Sequence, residues 1–316
     1  MTTAGAGPSS ELATAAALPR PLNPWVWLGI GMAAASVGLL PWLVTGLRLP
    51  LQNLWGTTTA PQDMPLVLLP FSQYSITLVA GLLVVGAAIA GLVARSTRPR
   101  QGHRGFAALT AGVFGTQLIA VVQTTAVVGG GLRPGTESTI YLVAVVAVAL
   151  TSVAVGGLVF VLIGTMPRAG ALIGLSLAAV AVGWWGAALI VPQPGLVSPA
   201  QTTMLGLLQW LPAILCGVAI AWCGVNTAGR VGAALTAVAA VVIGPAVAPA
   251  VSAAAGTRVR ARYPGEMLDY AAAVFRQVLV TPELTLRPLI AAIVVAGLGL
   301  ALQTLRRRPA GSTPNQ

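Results

Sequence analysis

The sequence predicts an all-α protein, a polytopic integral membrane helix bundle of about eight transmembrane helices with both ends inside. Three observations carry this. Hydrophobic residues make up 56% of the chain and charged ones 7%, with a mean hydropathy of +0.87, far from the balance of a soluble domain. Apolar runs long enough to cross a hydrocarbon core, about 20 residues each, account for most of the chain. The only dense run of charge, Arg95-Ser-Thr-Arg98-Pro-Arg100-Gln-Gly-His103-Arg104, lies between two such runs. Basic loops stay in the cytoplasm, so this run sets the direction in which every segment crosses.

Residues 1–24 are rich in Ala, Thr, Ser and Pro and read as a disordered cytoplasmic tail. The first span, 25–47, has an apolar run too long for the h-region of a signal peptide and no polar cleavage region. Trp25 and Trp27 fall at its inner interface, and Pro41 predicts a kink. Residues 48–71 form an outer loop, apolar enough to lie on the membrane or to fold back against the bundle. The second span is 72–94 and the third 105–128, with the basic loop between them.

An outer turn, Arg133 to Glu137, leads to the fourth span, 139–165, and Pro167 and Arg168 mark an inner turn. The fifth span, 170–192, and the sixth, 203–225, are joined by an uncharged loop. The seventh is 231–253. An outer loop, 257–287, precedes the eighth, 288–305, and residues 306–316 open with Arg306, Arg307 and Arg308 as a second cytoplasmic tail.

The arginines test this topology. The inner side holds ten of the 17 basic residues: Arg20, Arg95, Arg98, Arg100, Arg104, Arg168, Arg230, Arg306, Arg307 and Arg308. The outer side holds the other seven and five of the six acids, and Arg258, Arg260 and Arg262 run against the rule. All the basic residues are arginine, a bias that points to a GC-rich bacterial genome and so to a bacterial cytoplasmic membrane. The net charge of +11 does not imply nucleic acid as a partner, because the arginines cap membrane segments. The expected partners are the lipid bilayer and other membrane subunits.

Chemistry is nearly absent from the spans. No acid or base lies inside one, which argues against a proton relay or a carboxylate enzyme at the midplane. The single histidine, His103, excludes a His-based metal site within one chain, and no cofactor motif occurs. Cys216 and Cys223 lie about 10 Å apart along one helix, too far for a disulfide, and read as small buried residues. Glu266 and Asp269 read as first-turn acids of a helix rather than as a catalytic pair.

Thr110, Gln117 and Thr124 recur every seven residues and share one helix face, which either bonds a neighbouring helix or lines a cavity. Gly170 and Gly174 form a small-xxx-small packing pair. Arg104, Arg168 and Arg230 each open a span with a similar Ala- and Gly-rich run, through a duplicated hairpin or through composition alone. Residues 265–279 carry apolar side chains at helical spacing (Leu268, Ala271, Ala272, Phe275, Val278 and Leu279) and predict an interfacial helix.

A layer of features falls roughly 10–12 Å below the outer surface. It contains Trp184 and Trp185 of the fifth span, Gln209 and Trp210 of the sixth, Gln123 of the third, and Pro245 with Pro249 of the seventh. Prolines free backbone carbonyls that must bond elsewhere. Together with Gln117 these are the candidate pocket residues. The function expected is non-enzymatic: a permease-like or lipid-handling protein with a pocket open to the outer leaflet. The alternative is an accessory or scaffold subunit of an envelope-assembly or transport complex. The alternative needs packing faces but no pocket.

Overall fold

A computed structural model describes residues 22–192, 196–256 and 264–307. The expected tails fall almost wholly outside these residues, as do Arg258, Arg260 and Arg262. Among the described residues there are no strands, only two isolated bridges. The helices are α1 (Pro24–Gly38), α2 (Leu40–Leu43), α3 (Ile76–Ser96), α4 (Arg98–Gly131), α5 (Thr136–Thr165), α6 (Arg168–Ile190), α7 (Pro199–Leu208), α8 (Leu211–Cys223), α9 (Ala228–Gly256), α10 (Pro264–Leu279) and α11 (Pro282–Arg307). Seven segments are long and apolar enough to cross a membrane, counting α7 and α8 as one. The protein is a multi-pass helical membrane protein.

The expected first span is shorter than that limit, because its helix ends early. Pro41 has no N–H to donate to the Val37 carbonyl, and its ring crowds that carbonyl. The helix therefore stops at Gly38 and breaks at Leu39, two residues before the predicted kink, and the Trp42 amide bonds to the Leu39 carbonyl at 2.9 Å. Trp27, placed at the interface by sequence, is buried at 1% exposure beside Gly105, where any Cβ would meet its ring. The basic run is not a loop. It is helical on both sides of Thr97, and the kink in α4 falls at Gly102, whose φ of +51° favours glycine.

Two groups of helices result, bridged by α6. In the first, α1 packs on α4 and α3, and α3 packs on α5. Gly31 and Gly112 let α1 and α4 approach backbone to backbone, since a Cβ on either would collide with a carbonyl of the other helix. In the second, α8, α9 and α11 pack together, and α10 lies along α9. Gly174 seats α6 against Leu162 and Ile163 of α5, the close packing predicted for that pair.

The chain alternates between two ends of the bundle. The arginine face carries Arg95, Arg98, Arg168 and Arg230. The cap face carries residues 44–75, which fold back on the first group and bury Leu49, Met64, Val67, Leu69 and Phe71. The half-buried residues of α10 are Met267, Ala271, Val274, Phe275, Val278 and Leu279. Its packed face is thus rotated from the predicted one, and Leu268 is 71% exposed.

Candidate functional site

The proposed layer of pocket residues divides in two. Gln117, Gln123 and Trp185 are engaged in holding the fold. Gln117 is buried and its Nε2 donates to the Leu83 carbonyl of α3 at 2.8 Å. Gln123 grips the cap segment with both ends of its amide: Oε1 accepts from the Leu68 amide and Nε2 donates to the Leu66 carbonyl, each at 3.0 Å. Thr124 accepts from the Leu69 amide at 3.0 Å. Two of the three stripe residues, Gln117 and Thr124, thus bond neighbouring segments, while Thr110 donates within its own helix to the Phe106 carbonyl at 2.9 Å. Trp185 Nε1 donates at 2.8 Å to the Gly38 carbonyl, which lost its helical donor at the α1 break.

Trp184, Gln209 and Pro245 do converge. They line a cleft of about 260 Å³ between α6, α7, α8, α9 and α11. Trp210 and Pro249 do not line it. Gln209 and Trp210 are where α7 ends and α8 begins. Pro212 causes this break, because it cannot donate to the Leu208 carbonyl. Helix α9, in contrast, runs unbroken through both of its prolines.

Three prolines from three helices meet at the cleft, Pro212, Pro245 and Pro288. The residue four positions before each one is also in the lining: Leu208, Val241 and Leu284. Those are the residues whose carbonyls each proline deprives of a helical donor. Residues whose carbonyls lose a helical donor to proline thus line one apolar space. Gln209 adds an amide, with Nε2 donating to the Gly206 carbonyl at 2.8 Å and leaving Oε1 to accept. Gly183 and Gly244 let the walls come close at the α6–α8 and α6–α9 approaches, since a Cβ on either would press on Pro212 or Val180.

A second, larger cleft of about 540 Å³ opens on the cap face, lined by Gln52, Gln73, Tyr74, Arg133, Glu137 and Tyr141 among others. Tyr141 donates to Gln52 Oε1, and Gln52 Nε2 in turn donates to the Phe71 carbonyl at 2.8 Å. The buried Nε2 of Gln73 has no partner among the described residues. The sequence reading passed over this cleft. The signal for it was the four-residue spacing of Glu137 and Tyr141, which puts them on one face of the first turns of α5.

Among the described residues no three His, Cys, Asp or Glu side chains come together. Cys216 and Cys223 are buried and unpaired. Compared with protein-family models, curated proteins and solved structures, the chain matches none of them.

Proposed function

We propose that this is a permease-like or lipid-handling protein of a bacterial cytoplasmic membrane, whose α6–α9–α11 cleft holds the apolar part of an amphipathic ligand. The observation that supports it is the meeting of Pro212, Pro245 and Pro288 with Trp184 and Gln209 at one space. Ligand sites are mostly apolar with a few placed polar groups. The cleft's spare groups are mainly acceptors, so the ligand class is one with a hydrogen-bond donor, such as a hydroxyl or amide, on an apolar body. At about 260 Å³ the cleft sits just below the usual range for small-molecule sites, which suits part of a lipid better than a whole polar solute.

In this reading the segment 24–43 crosses as an eighth, broken span. The arginine face is cytoplasmic, and the cleft opens toward the outer leaflet. Thr139 and Ser96 are exposed at opposite faces and test the orientation. With Cys216 and Cys223 replaced by alanine, Thr139→Cys should react with an impermeant thiol reagent in intact cells and Ser96→Cys should not. Reversed labelling overturns the orientation.

The ligand itself is tested by filling the cleft. Ala248 lines it, so Ala248→Trp should yield a folded protein that no longer carries the amphipath extracted from the purified parent and identified by mass spectrometry. Identical extracts from the two proteins would count against a ligand in the cleft. The competing reading, a non-enzymatic scaffold subunit of an envelope-assembly or transport complex, is favoured by one observation. Leu268 on α10 is 71% exposed, and Val280 just beyond it is 72% exposed, on the side turned from α9. A scaffold would keep its partners in the Ala248→Trp protein.

A further inference from the structure

We propose that the arginine face holds a binding site for a phosphate-bearing anion, an acidic lipid headgroup or free phosphate, gripped by Arg168 and Arg230. A cleft of about 160 Å³ opens there, lined by Arg168, Trp222, Asn226, Arg230, Gln303 and Thr304 with their neighbours. It is a separate site from the apolar cleft, at the opposite end of the bundle.

Four arginines from three turns of the chain gather at this end, and two of them are occupied. Arg95 Nη1 donates to the Ile163 and Met166 carbonyls, each at 2.9 Å. Arg98 donates twice to the Gly164 carbonyl, at 3.0 and 2.6 Å. Both caps place positive charge at the C-terminus of α5, where the helix dipole favours it.

Arg168 and Arg230 are placed the other way. They lie in the first turns of α6 and α9, where the dipole is positive and cations are disfavoured. Among the described residues, neither guanidinium makes a hydrogen bond or an ion pair. The five described acids, Asp63, Glu137, Glu266, Asp269 and Glu283, belong to the cap segment, the first turn of α5, α10 and the first turn of α11, away from this end.

The Trp222 ring offsets part of this charge. The Arg95 guanidinium lies 4.9 Å from its ring centre and that of Arg168 5.7 Å, within cation–π range. Orientation in the membrane requires arginines on one side but not their convergence on a single cleft. Two forked guanidiniums, the Asn226 amide and the second N–H of Gln303, whose Nε2 also donates to the Ala221 carbonyl at 2.9 Å, together make a site for a tetrahedral oxyanion. Basic pockets between transmembrane helices take acidic lipid headgroups by the same physics.

The test measures affinity for fluorescent phosphatidylglycerol, phosphatidylcholine and inorganic phosphate with the full chain in neutral detergent. The parent should prefer phosphatidylglycerol to phosphatidylcholine, and Arg168→Gln with Arg230→Gln should weaken that binding about tenfold or more. Competition by millimolar phosphate would assign the site to free phosphate, and its failure to compete would assign it to the lipid. The pair Arg133→Gln with Arg287→Gln makes the same change in net charge at the cap side and should leave binding unchanged.

Thr304→Glu places a carboxylate in the cleft and should abolish binding in a protein that needs no lipid to stay folded. This keeps the test decisive if the double glutamine variant fails to fold. Equal binding of the two lipids by the parent would overturn the proposal. So would unchanged binding in Thr304→Glu, or an equal loss in the cap-side pair.

Discussion

The two helix groups solve the same problem in opposite ways. In the most apolar stretch of α3, at the centre of the first group, 61% of residues are buried, against 17% for α11 at the rim of the second. The first group spends its polar side chains on the bundle: Gln117 on α3, Gln123 and Thr124 on the cap, Arg95 and Arg98 on the end of α5. The second spends its prolines on disrupting backbone, and the acceptors released gather around a space. Side-chain hydrogen bonds between segments are concentrated on one side of α6 and cleft-lining prolines on the other. A membrane protein that must both persist and accommodate a guest has reason to separate the two, since lipid supplies no hydrogen bonds to repair a loosened helix.

The sharpest way to break this comparison is at the glycine crossing of α1 and α4. Gly112→Val puts a branched side chain where the Leu28 carbonyl already sits, and overpacking of this kind should cost about 3 kcal/mol. The variant should unfold early in a detergent melting experiment, and normal melting would show that the first group is not packed on that contact. Gln123→Ala comes next. It strips the cap segment of two bonds, for about 2 kcal/mol, and residues 48–71 should become open to protease while the spans stay inserted.

Trp185→Phe removes the bond to Gly38 and part of a ring packed against the core, and should cost about 1–2 kcal/mol. On the other side of α6 the effects should shrink and change in kind. Pro212→Ala lets α7 and α8 join and returns a donor to Leu208, so stability should hold or rise while the extracted ligand is lost. Pro249→Ala lies outside the cleft and should alter stability by under about 0.5 kcal/mol, with the ligand retained. A larger stability loss from Pro212→Ala than from Gln123→Ala would erase the distinction between the groups.

The all-helical, multi-pass character was legible in the sequence because apolar run length and arginine placement report it directly. Breaks were half legible. Pro41 announced the interruption of α1 to within two residues, whereas Pro212 went unread and Pro245 with Pro249 leave α9 continuous. A proline removes one donor wherever it stands, but whether the helix parts there depends on what packs around it. The candidate layer was legible as a depth and not as a place. Trp184 and Trp185 are adjacent in sequence and at one level, yet they project to different helices, one lining the cleft and the other reaching Gly38. Depth follows from counting along a helix, but azimuth requires the neighbours. The cap-face cleft was missed because more than half of its lining comes from a segment with no periodicity.

The bond from Trp185 to the Gly38 carbonyl also bears on biosynthesis. Its partners are 147 positions apart. At a translation rate of about 5–20 residues per second, roughly 7–30 s pass between the emergence of Gly38 and that of its donor. Through that interval the broken end of α1 holds a bare carbonyl at membrane depth, and the first group cannot close. Its completion therefore waits for α6, so the nascent chain has an enforced order of assembly. Chains released before Trp185 should present an open α1 break to the insertion machinery and to membrane proteases, and longer ones should not.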